Sequence, residues 1–354
     1  MKQIKTLMYV YISLCFLNMS AFATESEAEL LVHSYTNDRY YNQVCWLTSH
    51  NSFAYKSDFL NQFLFPNQQK NIRNQLLYGV RSFMIDLYYE NDDPNASIIL
   101  AHNNDLTGGK NYVQKFSSPF LSTIKEWVND PKHQDDIITI HLESYIRDYD
   151  KIKDEIDNAE LGEYLFDLCE YNGGKTQKGK ARCLLLDDAE LDLNELGWPT
   201  IGEMRERKKT IVIFSDKTED VGKGIIHISS TMETKYDLRE YPYCEMRLEG
   251  RSLQAPIFIM NHFYGMQAIP YGIGRYYRWK DANEFYKIVT RAGECALQSG
   301  QWPNFIAFDN IGYQNNDERK IVIEINNFNR NCYGVVKTED KIESKHEGHM
   351  HDEL

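Results

Sequence analysis

Residues 75–88 read Gln75-Leu76-Leu77-Tyr78-Gly79-Val80-Arg81-Ser82-Phe83-Met84-Ile85-Asp86-Leu87-Tyr88. The stretch joins a helical segment, Gln68 to Tyr78, to a strand, Val80 to Tyr89, that ends in polar residues. Outward from this join the alternation repeats. Further strands are expected at Gln43–Thr48, Ser97–Ala101, Asp136–Ser144, Thr210–Ser215, Ala255–Asn261 and Asn304–Asp309. Helices are expected at Phe120–Asn129, Lys151–Leu168, Ile201–Lys208, Asp281–Leu297 and Ile321–Cys332. Several of the strands are continuous apolar runs, which suits strands covered on both faces by helices. Alternation over about 290 residues predicts a parallel α/β barrel or an open doubly wound sheet. Polar residues recur at the C-terminal ends of the strands: His50 and Asn51, Asp86, His102, Glu143, Asp216 and Lys217, Asn261 and His262, and Asp309. A ring of polar strand ends favours the barrel, whose active site lies at that face. An open sheet concentrates such residues at one switch point. No glycine-rich dinucleotide loop or P-loop is present, which argues against nucleotide-dependent chemistry.

The 354 residues carry a net charge of −13 and are 42% hydrophobic. Enough apolar surface is present for a core, so global disorder is excluded. An acidic body argues against sequence-independent nucleic-acid binding, which needs a cationic surface. It gains nothing from bulk attraction to anionic lipid, so lipid contact has to be local.

Residues 1–23 read as a signal peptide. Lys2 and Lys5 precede an apolar run, Leu7 to Leu17, and Ala21-Phe22-Ala23 supplies small residues for cleavage. Residues 24–39 form a lead-in, 40–335 the barrel as one domain, and 336–354 a charged tail without a core-forming pattern. No later stretch is long and apolar enough to span a bilayer, so no transmembrane segment is expected after signal removal. The chain ends His351-Asp352-Glu353-Leu354. In a eukaryotic cell, its own or a host's, HDEL engages an ER retrieval receptor, which makes the ER lumen the expected residence; otherwise a secreted or periplasmic protein is expected. Six of the seven cysteines lie beyond residue 23, an even number that allows up to three disulfides in an exported chain. Cys169 and Cys183, flanking a Gly/Lys loop, are the favoured pair.

Three segments carry the chemistry: Thr48-Ser49-His50-Asn51-Ser52, the stretch 75–88, and Leu100-Ala101-His102. Together they resemble the catalytic X region of phosphatidylinositol-specific phospholipases C. The resemblance continues through Ile138–Glu143, Ile211–Lys217 and Pro303–Asp309 and so spans about residues 40–335. It implies a TIM-barrel-like phosphodiesterase fold that cleaves an inositol phospholipid at a membrane surface. It also implies His50 and His102 as the acid/base pair, a role histidine suits because its ordinary pKa lies near working pH. His50 is the base or transition-state donor and His102 the acid. Asn51, Asp86 and Glu143 match the oxygen ligands of the calcium-dependent branch, and oxygen donors suit a hard cation. That branch usually has another acid two residues before the aspartate; here the position is Met84. Lys217 and Asp309 are substrate-side candidates, Asp309 also as a residue that orients a histidine, while Asn261 and His262 are candidates for lining the mouth. The aromatic stretch around Tyr271, Tyr276, Tyr277 and Trp279 is a candidate lipid contact. Two other classes stay open: a phosphodiesterase for glycerophosphodiesters or sphingomyelin, and a non-catalytic inositol-lipid binder.

Overall fold

The computed structural model describes residues 30–31 and 34–328, except 56–65, 105–108, 179–181, 237–243, 248–254, 265–281 and 313–316. The signal segment, the aromatic stretch at 271–279, Cys332 and the HDEL tail lie outside the described residues. In chain order the elements are β1 (Trp46–Ser49), α1 (Ile72–Tyr78), β2 (Ser82–Tyr89), β3 (Ile98–Asn104), β4 (Gly109–Lys115), α2 (Phe120–Asn129), β5 (Ile138–Ser144) and α3 (Tyr149–Asn158). Then come α4 (Leu168–Tyr171), β6 (Gly174–Thr176), β7 (Cys183–Leu185), β8 (Glu190–Leu191), α5 (Ile201–Glu206), β9 (Ile211–Ser215), β10 (Ile225–His227), β11 (Thr231–Thr234) and β12 (Met246–Arg247). β13 (Ile257–Asn261), α6 (Phe285–Ser299), β14 (Phe305–Phe308) and a helix α7 over 317–328 complete the series.

Strands β10-β9-β5-β2-β1-β14-β13-β11 pair in that order, and every pair is parallel. The sheet curls into a barrel with a seam: among the described residues β10 and β11, adjacent in sequence, do not pair. The expected barrel is therefore present, with two departures. β2 is extended by an antiparallel excursion, β3 and β4, before α2 returns the chain to β5. Strand–helix alternation also lapses between β9 and β13, where β10 and β11 follow with single 3-10 turns and β12 turns back antiparallel on β11.

One expected helix breaks up. Lys151–Leu168 was read as continuous, but α3 ends at Asn158, and a 3-10 turn at Gly162–Tyr164 and the short α4 follow. The buried stripe of α3 is only Ile152 and Ile156, and Glu160 takes a left-handed φ of 55°. Chain that has run out of apolar face has no packing to extend the helix. The small sheet β6–β7–β8 follows, tied to α4 by the disulfide Cys169–Cys183 that the sequence favoured. A second disulfide joins Cys244 to Cys295 of α6, while Cys45 is a buried free thiol.

Aromatic side chains fill the N-terminal end of the barrel. Tyr41 stacks on Trp198 at 5.2 Å and lies against Trp46 and Phe305, and its hydroxyl is bonded to Thr139 Oγ1 at 2.7 Å. α7 locks the entry of β1 from outside: Asn326 accepts from the Cys45 N–H and donates to the Cys45 carbonyl. Chemistry is left to the other end, the mouth.

Candidate active site

The mouth is built from the loop after β1. His50 and Asn51 leave the strand there, Asn51 with a left-handed φ of 43° that asparagine tolerates. Ser52 anchors the turn to β2 by donating its N–H and its hydroxyl to the Met84 carbonyl. α1 holds it from beneath. Gln75, fully buried, accepts from Ser49 Oγ at 2.6 Å and donates to the carbonyls of Ser52 and Lys70. Gly79 ends α1 at φ 109°, where a side chain would be strained and its Cβ would stand 2.7 Å from Leu31. Arg81 turns inward beneath it, paired with Asp136 at 2.8 Å and stacked over Trp127. The Gln75…Gly79-Val80-Arg81 motif is thus the frame of the site.

His50 Nδ1 lies 2.8 Å from Asp309 Oδ1. A carboxylate only accepts, so Nδ1 carries the proton and Nε2 keeps its lone pair. Nε2 makes no hydrogen bond among the described residues. Asn67 donates to the same Asp309 oxygen at 2.9 Å, and Gln68 donates to the backbone carbonyls of His50 and Phe308. The ring lies flat against Phe263, centroids 3.6 Å apart and planes 4° apart. Sequence reasoning missed Asn67, Gln68 and Phe263. The expected helix begins at Gln68, directly after Asn67, yet α1 starts at Ile72 with Asn71 as its cap, so Gln68 lies outside the helix and its amide is available to the site. Asp309, a substrate-side candidate also expected to orient a histidine, is in contact with His50.

His102 comes from a different strand. β3 runs antiparallel to β2 with Leu100 opposite Leu87, so the chain runs back toward the level of Asp86. The β3–β4 ladder shifts register between Leu100 and His102. Such an irregularity re-aims a side chain at an active site. His102 is half-buried.

The acids gather on neighbouring strands. Asp86 pairs in register with Glu143, and Leu142 with Ser215, so Asp216 follows beside Glu143. Asp86 is 8% exposed and makes no hydrogen bond or ion pair among the described residues. Burial, then the charges of Glu143 and Asp216, push its carboxyl well above the usual range. Asn51 is 4% exposed, and its side chain is likewise unpartnered among the described residues. Oxygen donors without a protein partner are of the chemical kind that a hard cation takes. Among the described residues, however, no three His, Cys, Asp or Glu side chains converge as a finished metal cluster. Glu143 is held by the Tyr145 hydroxyl at 2.6 Å, and Asp216 by the Ser144 N–H at 2.8 Å and by Lys217 at 2.5 Å. Lys217 is therefore spent on its neighbour in this arrangement.

Two expectations for the rim are corrected. Asn261 and His262 are fully buried and do not line the mouth. Asn261 donates to Glu233 and to the Thr234 carbonyl. His262 bonds the Ala282 carbonyl through Nε2, and burial, with Arg291 nearby, lowers its pKa to about 3. Both acts are structural, because completing β13 from inside leaves neither side chain facing solvent.

An open parallel barrel with a carboxylate-held histidine at its mouth defines the class of protein to compare. The PI-PLC X family model (PI-PLC X 1) matches residues 36–324, and the chain belongs to that family. A PI-PLC X domain-containing protein of Arabidopsis thaliana is 25% identical over 286 residues, covering 75% of this chain and 58% of the relative. PI-PLC X domain-containing protein 1 of Arthroderma benhamiae is 23% identical, covering 70% and 73%. The chain thus spans little more than half the length of the plant relative. Among solved structures, the phosphatidylinositol-specific phospholipase C of Listeria monocytogenes shares the fold with a TM-score of 0.50 at 12% identity, over 84% of this chain and 98% of that one. The S. aureus enzyme of the same name gives 0.51 at 13% identity, over 85% and 99%.

Proposed function

We propose that the protein is a phosphodiesterase of the phosphatidylinositol-specific phospholipase C type, cleaving an inositol phospholipid at a membrane surface with calcium. The observation that carries the reading is the His50–Asp309 pair at the barrel mouth. His50 Nε2 takes the proton of the inositol 2-hydroxyl as that oxygen bonds to phosphorus. The bond from phosphorus to the glycerol oxygen breaks, and His102 protonates the departing diacylglycerol. Asp309 steadies the imidazolium that His50 becomes. Asn51, Asp86 and Glu143 would hold a calcium ion, which when bound would neutralise phosphate charge and lower the hydroxyl's pKa. The Asp86 and Asn51 side chains, which make no hydrogen bond among the described residues, support that assignment. The two disulfides support an oxidising compartment for the protein.

The test is turnover of phosphatidylinositol vesicles with calcium and with a chelator, beside glycerophosphoinositol and sphingomyelin. Release of diacylglycerol that stops on chelation and returns with calcium is expected. Preferential turnover of a comparator would make it a different phosphodiesterase. Vesicle binding with no turnover would make it a lipid-binding protein, a role that Met84 in place of an acid would favour.

A further inference from the structure

We propose that Asn67 and Phe263 are positioning residues for His50: Asn67 fixes the direction of the ring through Asp309, and Phe263 fixes its tilt. The proposal rests on the phosphodiesterase reading above and concerns what aims Nε2 at the substrate hydroxyl.

A histidine ring turns about two side-chain bonds, and the second of them has no sharp staggered preference. The hydrogen bond from Nδ1 to Asp309 Oδ1 at 2.8 Å pins one corner of the ring. It leaves the ring free to pivot about the line from nitrogen to oxygen, and it is only as steady as the carboxylate. Asn67 steadies the carboxylate. Its side-chain amide donates to that same oxygen at 2.9 Å, and its nitrogen stands 3.3 Å from Nδ1, so two donors converge on one acceptor. Asn67 is 2% exposed, and its backbone carbonyl accepts from the Asn310 N–H, one residue past Asp309. The next two residues extend the clamp. Gln68 donates to the carbonyls of His50 and Phe308 and accepts from the Ile311 N–H at 3.2 Å. Gln69 donates to Asn310 Oδ1 at 2.8 Å. Residues 67–69 therefore tie the loop after β1 to the loop after β14. Of the three, Asn67 is the one whose amide reaches the side chains of the His50–Asp309 pair.

Phe263 removes the remaining pivot. Its ring is parallel to that of His50 with centroids 3.6 Å apart, so tilting the imidazole drives one edge into it. Phe263 has little room to yield. It is 2% exposed, Tyr236 lies on it at 6.3 Å, and just before it the His262 N–H is bonded to the Ala307 carbonyl at 2.8 Å. The two constraints act at right angles, one within the plane of the imidazole and one perpendicular to it. Neither residue has to touch substrate. Their effect is on where Nε2 points, and displacing a reacting atom by about 1 Å costs up to about 10²-fold in rate.

Two measurements on the purified full chain decide this: steady-state kinetics on phosphatidylinositol vesicles, and carbon-13 relaxation of the His50 ring, its signal assigned by its absence in His50→Gln. Thermal unfolding checks that each variant folds. Asn67→Leu removes the donors at similar volume, and Phe263→Leu removes the flat face. Each should lower kcat about 10–100-fold while KM stays within about two-fold, since aim and not binding is lost. In each the order parameter of the ring should fall from the rigid range, about 0.85, to below about 0.6. Phe263→Tyr, which keeps a flat face, should recover most of both losses. If Asn67→Leu does not fold, Asn67→Ala takes its place. A ring that stays ordered in either variant overturns that residue's role, whatever the rates. Unchanged kcat, or a loss confined to KM, overturns it as well. If wild type turns over no phosphatidylinositol, the phosphodiesterase reading falls, while the relaxation data still decide whether Asn67 and Phe263 hold the ring.

Discussion

His50 is held by partners that sequence proximity does not announce. Asp309 lies 259 positions away and Asn67 is 17 positions on, yet all three side chains meet. Removing the acid/base groups should show their weight. His50→Ala and His102→Ala are each expected to lower phosphatidylinositol turnover by roughly 10²–10⁴-fold, the usual contribution of a positioned proton-transfer group. Unfolding midpoints should stay near wild type for both, since neither lies in the packed aromatic end; full activity in either variant would remove that histidine from the reaction. A third histidine gives the opposite behaviour. His262 is buried neutral with its pKa lowered to about 3, whereas in the unfolded chain it titrates near its ordinary value of 6.5. Between those values the unfolded chain binds more protons, so its contribution to stability is full above about pH 6.5 and drains away as pH falls toward 3. The slope reaches at most about 1.4 kcal/mol per pH unit. Denaturant unfolding between pH 7 and 4 should show a shallower loss in His262→Gln than in wild type, from a lower starting stability.

At the level of elements, α1 and the first residues of β2 carry the mouth, and their sequence is the most legible part of the chain. The join between them is pinned by a buried ion pair, Arg81 with Asp136, in which Asp136 also accepts from Trp127 Nε1. Arg81→Met should therefore cost about 3–5 kcal/mol, because it strands a buried carboxylate. An equilibrium urea titration measures it, and a change within 1 kcal/mol would show that the pair is incidental. Strong apolar patterns were read well: α2 has the expected bounds, Phe120–Asn129, and the core strands fall within a few residues of expectation. The reason is that buried faces leave a period in the sequence. Where burial is one-sided or absent, the reading failed. β4 carries Val113 half-exposed among polar residues, and β8 is two residues long. The candidate site divides the same way. His50, His102, Asp86 and Glu143 were singled out by their motifs; His50 directly follows β1, and the other three lie within β3, β2 and β5. Asn67 and Phe263 come from loops with no periodic signal.

For the whole molecule, cross-links and sheet order set what holds and what yields. Four cysteines are engaged in Cys169–Cys183 and Cys244–Cys295, and Cys45 is sealed at the start of β1. Alkylation of unreduced native protein should therefore leave these five unlabelled. Adding denaturant without reductant should expose Cys45 alone among them, and labelling at Cys169 or Cys244 under those conditions would refute the pairing. The seam between β10 and β11 has a different consequence. β5, β2, β1 and β14 each have a strand on both sides, whereas β10 is three residues with one neighbour among the described residues. Opening the barrel there breaks one ladder rather than two. In deuterated water the amides of β10 should exchange far sooner than those of β5, and the order of exchange around the sheet should run outward from the seam, as a split ring opens at its gap.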